Sequence, residues 1–288
     1  MPSINKGFTM YKLLCIDLDG TLLDNEKNIS SLNVKVLNTL NKKGIDIVIA
    51  TGRHFEKVAE LISPLNFDCS IIANNGAIAM EEEEIFILNP VNQDLLQTVI
   101  AKGKDYGVKP YLHVFDEDRK TSIVIPDGDV KTAHAGSVCS LNHICHYKDM
   151  KKSFQVLTIV FLENKNRISA LYSDIVNGGY ACEAHIMRGF RKDVVMVEFL
   201  EKGSNKASAI RHYATLKGIK REEIITIGDE NNDIDMIKSA GLGIAMANAT
   251  KSLKENADRI SSYSNNDSGV GKELMDIFHL TMEEVERN

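Results

Sequence analysis

Asp17 and Asp19 stand two residues apart just past the apolar run 12–16, and Gly20, Thr21 and Leu22 follow them. Two carboxylates so spaced at the end of a strand make a hard-oxygen site suited to Mg²⁺. Gly20 permits a tight turn, and Thr21 can hydrogen-bond within the loop. Four fixed positions and one hydrophobic one arise by chance in roughly one chain in several thousand. An ordinary acidic loop is therefore the weaker reading. Further polar residues follow later apolar runs in the same way: Thr51 after 45–50, Asn74 after 69–73, Asp229 after 223–227 and Asn248 after 242–246.

The elements that must position these residues are read from periodicity. Residues 30–43 carry Leu32, Val36, Leu37 and Leu40 at helical spacing, and Gly44 stops them. Residues 54–65 read as a second helix. Short apolar runs alternating with such helices predict a parallel sheet with helices on its faces. In a parallel sheet all the carboxyl ends share one edge, and ligands bind in the crevice there, where strand order reverses. Asp17, Thr51, Asn74, Asp229 and Asn248 are thus expected along one rim.

After Gly76 the pattern changes to a hairpin whose turn is the Glu run at 81–84. From about 90 to 193 helical stretches (92–106, 164–176) mix with β-rich pieces (110–114, 121–125, 155–162) and short strands. The parallel pattern returns with helices at 204–217 and 231–240, strands at 223–227 and 242–246, a helix at 250–256, a strand at 258–262 and a last helix at 269–286. The fold class read from this is α/β: a Rossmann-like parallel-sheet core, interrupted by an inserted α/β module.

The chain has 288 residues, which suits one or two domains. A net charge of −6 gives no long-range attraction for nucleic acid or an anionic membrane, so neither is an expected partner. No window approaches about 18 consecutive apolar residues, and no signal-peptide stretch opens the sequence. Met10 is an alternative start. Five scattered cysteines (15, 69, 139, 145 and 182) read as reduced thiols of a cytoplasmic protein.

Asp17-Leu18-Asp19-Gly20-Thr21 resembles the first motif of the haloacid dehalogenase superfamily, specifically its phosphatases. Ala50-Thr51-Gly52-Arg53 is similar to the second motif, Lys206 within Gly203-Ser204-Asn205-Lys206-Ala207 to the third, and Gly228-Asp229-Glu230-Asn231-Asn232-Asp233 to the fourth. Asn74-Asn75-Gly76-Ala77 and the stretch 241–249 resemble the Cof-type subfamily (class IIB). Ala207 is a minor departure, since Gly more often follows that lysine.

The resemblance implies a discontinuous core (1–84 and 194–288) and an inserted α/β cap (85–193) that sets specificity. It implies a Mg²⁺-dependent phosphatase of a small phosphorylated metabolite, a sugar phosphate or a phosphorylated cofactor. Asp17 would be the nucleophile and Asp19 the acid and base. Asp17, the Asp19 carbonyl and Asp229 would hold Mg²⁺, with Asp233 behind them. Thr51 and Gly52, expected to open a helix, would bind phosphoryl oxygens with Lys206 and Asn232. Arg53, Asn75, Gly76 and Arg188 are further candidates. A monomer or homodimer is expected.

Other readings are weaker. Cys139, His143, Cys145 and His146 match no usual zinc spacing. Gly241 and Gly243 lack the context of a dinucleotide fingerprint. Arg188 and Arg191, near His185, could bring positive charge from the cap to the substrate, but surface arginines are common. A phosphomutase of the same superfamily and a non-catalytic phosphate-binding protein are the rivals; the intact acidic set and lysine speak against the second.

Overall fold

Each core strand is a run of apolar side chains that is buried on both faces, which is why its sequence shows no alternation. In the computed structural model, which describes residues 11–82, 84–116, 121–126, 144–188 and 194–287, the first strands are β1 (Leu13–Ile16), β2 (Asp46–Ala50), β3 (Ser70–Ala73), β4 (Ile78–Glu81) and β5 (Glu84–Leu88). Then come β6 (Tyr111–Phe115), β7 (Thr121–Ile125), β8 (Ile144–His146), β9 (Gln155–Asn164), β10 (Cys182–Arg188) and β11 (Val194–Glu201). The chain closes with β12 (Ile224–Gly228), β13 (Leu242–Ala245) and β14 (Arg259–Ile260).

One sheet has the order β14-β13-β12-β1-β2-β3-β4-β5. Its strands from β14 to β3 pair in parallel, and the β4–β5 hairpin adds the antiparallel edge. From β1 the chain winds outward through β2 and β3; from β12 it winds the other way. Strand order therefore reverses between β1 and β12, where Leu13 lies level with Ile224. That gap is the topological switch point at which such sheets bind ligands.

Helix Ser31–Lys42 starts where the Ser30 side chain accepts from the Asn33 N–H, and buries Val36, Leu37 and Leu40 against the sheet. Helix Lys206–Lys217 is capped by Asn205, whose side chain accepts from the Ser208 N–H. The last segment is two helices rather than one. Gly269–Phe278 ends at His279 in a left-handed conformation, and Thr281 caps a fresh helix Met282–Glu286. The strand expected at 258–262 shrinks to Arg259–Ile260.

The second sheet has the order β10-β11-β9-β6-β7-β8 and is antiparallel apart from the β7–β8 pair. One face packs on helices Gln93–Asp105 and Lys165–Asn177 through Leu95, Val99, Ile168, Leu171, Phe161 and Phe199. The pairing differs from the expected bounds by a strand at each end. Glu84–Leu88 is hydrogen-bonded into the first sheet, and Val194–Glu201 into the second. The two crossing segments are tied to each other: Asn89 donates to Ser204 Oγ (2.7 Å), and the Asn92 backbone and amide both donate to Glu201 (2.8 Å each).

Gly76 shows how tightly the rim is built. Its φ is +97°, and a Cβ there would lie 2.5 Å from the Asn205 carbonyl oxygen, at the start of the lysine-bearing helix. Gly76→Ala is expected to destabilise the fold by on the order of 1–3 kcal/mol. Urea unfolding of the two proteins checks this, and equal midpoints would contradict it.

Candidate active site

The expected rim forms. Asp17 follows β1 and is 6% exposed; Lys206, the first residue of its helix, is 1% exposed. Lys206 Nζ donates to Asp17 Oδ1 and to Asp233 Oδ1, each at 2.6 Å. Asp233 Oδ2 accepts from the backbone N–H groups of Asp229 and Glu230, at 3.0 and 3.1 Å. Both oxygens of Asp233 are thus engaged, Oδ1 by Lys206 and Oδ2 in holding the loop after β12. Thr21 Oγ1 donates to Asp229 Oδ1 (3.0 Å), joining the first loop to the fourth.

Oxygens of Asp17, Asp229 and Asp233 lie within 4.8 Å of one another, which makes a candidate divalent-cation site. Two of these carboxylates, Asp17 and Asp233, share one ammonium, and Asp229 stands beside them. Burial, then Asp233, raises Asp229 to about 7. Burial also lifts Asp17 well above the usual carboxylate range, against the pull of Lys206. Burial alone would lower Lys206, yet Asp17 and Asp233 hold it above its ordinary value. An excess of hard, buried oxygen donors is the chemistry that a Mg²⁺-sized cation satisfies.

Asp19 sits differently. Its carboxylate is gripped by Arg53, through Nε to Oδ2 and through the terminal nitrogen to Oδ1 (2.6 Å), and by Lys27 Nζ (2.7 Å). Burial raises its pKa, but the Arg53 contact, followed by Lys27, leaves it below the ordinary value. In this state Asp19 is an ion-paired anion rather than a proton carrier.

Thr51 and Gly52 border the same cavity of about 470 Å³, together with Asp17, Asp19, Arg53, Asp229 and Asn232. They do not open a helix as expected: the helix starts at Phe55 and has His54 as its cap, so Thr51 and Gly52 lie in the loop before it. Thr51 Oγ1 instead accepts from the Arg53 N–H (3.1 Å). Asn75, at φ +50°, accepts from Asn232 Nδ2 (3.0 Å) and donates to Glu198 Oε2 (2.6 Å). Gly76 packs behind it on Asn205. Asn248 donates to the Gly20 carbonyl (2.7 Å) and accepts from the Asn265 N–H. The Asn74 amide turns to His113 and Thr158 of the second sheet.

The second sheet contributes His113, Met187, Met196 and Glu198 to the cavity wall, the first loop adds Lys27, and the helix starting at Phe55 adds Lys57. None of these stood out in the sequence, for they belong to no motif. Glu198 is 2% exposed, and burial raises it to about 7 against the Asn75 hydrogen bond. The Arg188 side chain, Arg191, Cys139 and His143 lie outside the described residues. Cys145 and His146 fall on β8, and among the described residues the only grouping able to hold a metal is the aspartate one. Among those residues no helix is long and apolar enough to cross a membrane.

The family model of the haloacid dehalogenase-like hydrolases matches residues 14–274. A 5-amino-6-(5-phospho-D-ribitylamino)uracil phosphatase of Bacillus subtilis is 29% identical over 276 residues, covering 94% of this chain and 98% of that one. A solved subclass IIB sugar phosphatase superposes with a TM-score of 0.72 at 26% identity, covering 93% of this chain and 99% of its own. A haloacid dehalogenase-like hydrolase from Bacteroides thetaiotaomicron gives 0.73 at 25%, covering 93% and 100%. The chain belongs to the haloacid dehalogenase-like hydrolases, in their phosphatase branch.

The buried carboxyls make stability depend on pH. Asp229 and Glu198 stand at about 7, against ordinary values of 3.8 and 4.5. The folded state holds these protons more tightly than the unfolded chain, so stability falls as pH rises toward 7. His185, which burial and then Lys206 lower from 6.5 to about 4, acts in the opposite sense but only below 6.5. The metal-free protein is therefore expected to melt lower at about pH 8 than at about pH 6.5. Added Mg²⁺ should narrow the gap. Scanning calorimetry with and without chelator checks both, and a melting point rising across that window contradicts the assignment.

Proposed function

We propose that this enzyme hydrolyses the phosphate monoester of a small metabolite, with Asp17 as the nucleophile and Mg²⁺ as the cofactor. The observation that carries the reading is the Asp17–Lys206–Asp233 chain at the switch point, with Asp229 beside it and Asp19 two residues on.

Phosphate monoesters hydrolyse very slowly unaided, so the site must lower a large barrier, mostly by positioning and charge neutralisation. Lys206 holds the Asp17 carboxylate in one orientation and offsets the cost of keeping it charged in a buried place. Asp17 then attacks phosphorus; the bond to the leaving oxygen breaks, and the phosphoryl group rests on Asp17. Thr51 and the Gly52 N–H supply hydrogen bonds to phosphoryl oxygens, with Lys206 and Asn232. Asp17, Asp229 and the Asp19 carbonyl would hold Mg²⁺, which neutralises phosphoryl charge when bound.

Asp19 must carry a proton to the leaving oxygen, so its clamp must open. A phosphate dianion entering the cavity competes for Arg53 and Lys27, and each cation that turns to it relieves Asp19 of a charge favouring its ionised form. Asp19 then takes up a proton from solvent and gives it to the leaving oxygen, and in the second half removes a proton from the water that cleaves the aspartyl phosphate.

Three further readings belong here. The second sheet and its helices act as a cap that closes over the first sheet's rim, with crossings near 89–92 and 201–205. A cavity of about 470 Å³ and the names of the relatives support a sugar or polyol monophosphate, with or without an attached ring, as substrate. Scattered thiols support a cytoplasmic setting.

Phosphate release from a panel of metabolite esters with Mg²⁺ is the direct test, and release without a bisphosphate activator separates a hydrolase from a mutase. Asp17→Asn is expected to lower kcat by about 10⁴-fold or more. Chelation should abolish turnover and Mg²⁺ restore it. Undiminished turnover in the variant would remove Asp17 from its role.

A further inference from the structure

Glu198 is a carboxylate with an unusual position. It lies on β11, level with His185 of β10 and Val160 of β9. Cross-strand partners share a face, so the Met187–Met196 pair, one step along, lies on that face too. The opposite face is the one covered by the helices, through Val197 and Phe199. Glu198 and the two methionines therefore look toward the first sheet, and all three line the cavity above Asp17.

The core reaches up to this carboxylate. Asn232, in the loop after β12, donates to Asn75, and Asn75 donates to Glu198 Oε2. A tie between the two sheets needs only a neutral acceptor at this place, and glutamine would provide one at a lower desolvation cost. A buried carboxylate calls for more donors than the single amide of Asn75. The cavity is where such a donor can arrive. The phosphoryl group is served by the first sheet's loops, so the donor reaching Glu198 belongs to the leaving group.

We propose that Glu198 is a specificity residue that accepts a hydrogen bond from a hydroxyl or N–H of the leaving group, with Met187 and Met196 packing against its carbon skeleton. The substrate is then a phosphate monoester whose leaving group carries such donors. This rests on the phosphatase reading above. Methionine side chains adapt to an irregular skeleton or a ring face, so the hydrogen bond to Glu198 fixes orientation.

The test compares kcat/KM for ribose 5-phosphate, glucose 6-phosphate and ribitol 5-phosphate with that for p-nitrophenyl phosphate, whose leaving group offers neither hydroxyl nor N–H beyond the ester oxygen. Glu198→Gln keeps an acceptor for Asn75 and replaces the other oxygen by a donor. The wild type is expected to prefer at least one hydroxylated ester. In the variant the ratio of that ester to p-nitrophenyl phosphate should fall by about 10- to 100-fold, mainly through KM. An equal loss on both esters would mean that Glu198 only ties the sheets, and overturns the proposal. A wild type that prefers p-nitrophenyl phosphate to all three overturns it too, while leaving the phosphatase reading intact. A wild type that releases phosphate from none of the four overturns both. If Glu198→Gln melts below the assay temperature, Met187→Ala on the same wall carries the test through the same ratio.

Discussion

The ammonium of Lys206, shared between Asp17 and Asp233, is the constraint on which the site depends. It joins the end of β1, the loop after β12 and the start of a helix that follows the second sheet in sequence. Removing three charged groups from water is costly, and only close geometry with further hydrogen bonds makes it tolerable. Those bonds are present: Asp233 collects two backbone N–H groups, and Gly228 leaves room for its carboxylate, since a Cβ there would sit 2.6 Å from it. The same charge that orients the nucleophile therefore also fixes the acidic loop.

Around this centre the charges are sorted by depth. Carboxylates crowd the floor, where burial makes their ionisation unfavourable and a divalent cation welcome. Arg53 and Lys27 stand at the first loops, occupied with Asp19. A dianion arriving at such a site meets a largely buried Arg53 and a half-exposed Lys27, both already aimed at the first loop. The Lys27 pair is exposed and contributes little net stability, so exchanging its partner for a phosphoryl group costs little.

Much of this was legible in the sequence because a parallel sheet converts local pattern into long-range geometry. The run before Asp17 and the run before Asp229 are apolar for the same reason, and a strand-order reversal puts their ends side by side. The helix over 269–286 was misread because Leu280 and Val285 continue the apolar pattern; only the left-handed His279 and the cap at Thr281 reveal the break. Periodicity puts the start of the second helix at 54, next to the observed Phe55, so Thr51 and Gly52 lie in the loop before it and not at its opening turn. Glu198 was invisible. It sits in the apolar run Val194–Glu201, whose only other charged residue is the terminal Glu201, and its meaning comes from Asn75, which lies 123 positions away.

The cross-linked crossings have a mechanical consequence. Two polypeptide tethers that ran independently would let the upper body slide, tilt and twist. With Asn89 bound to Ser204 and Asn92 to Glu201, neither crossing can shift without loading the other. A displacement of one sheet against the other would have to break the Asn75–Glu198 bond as well.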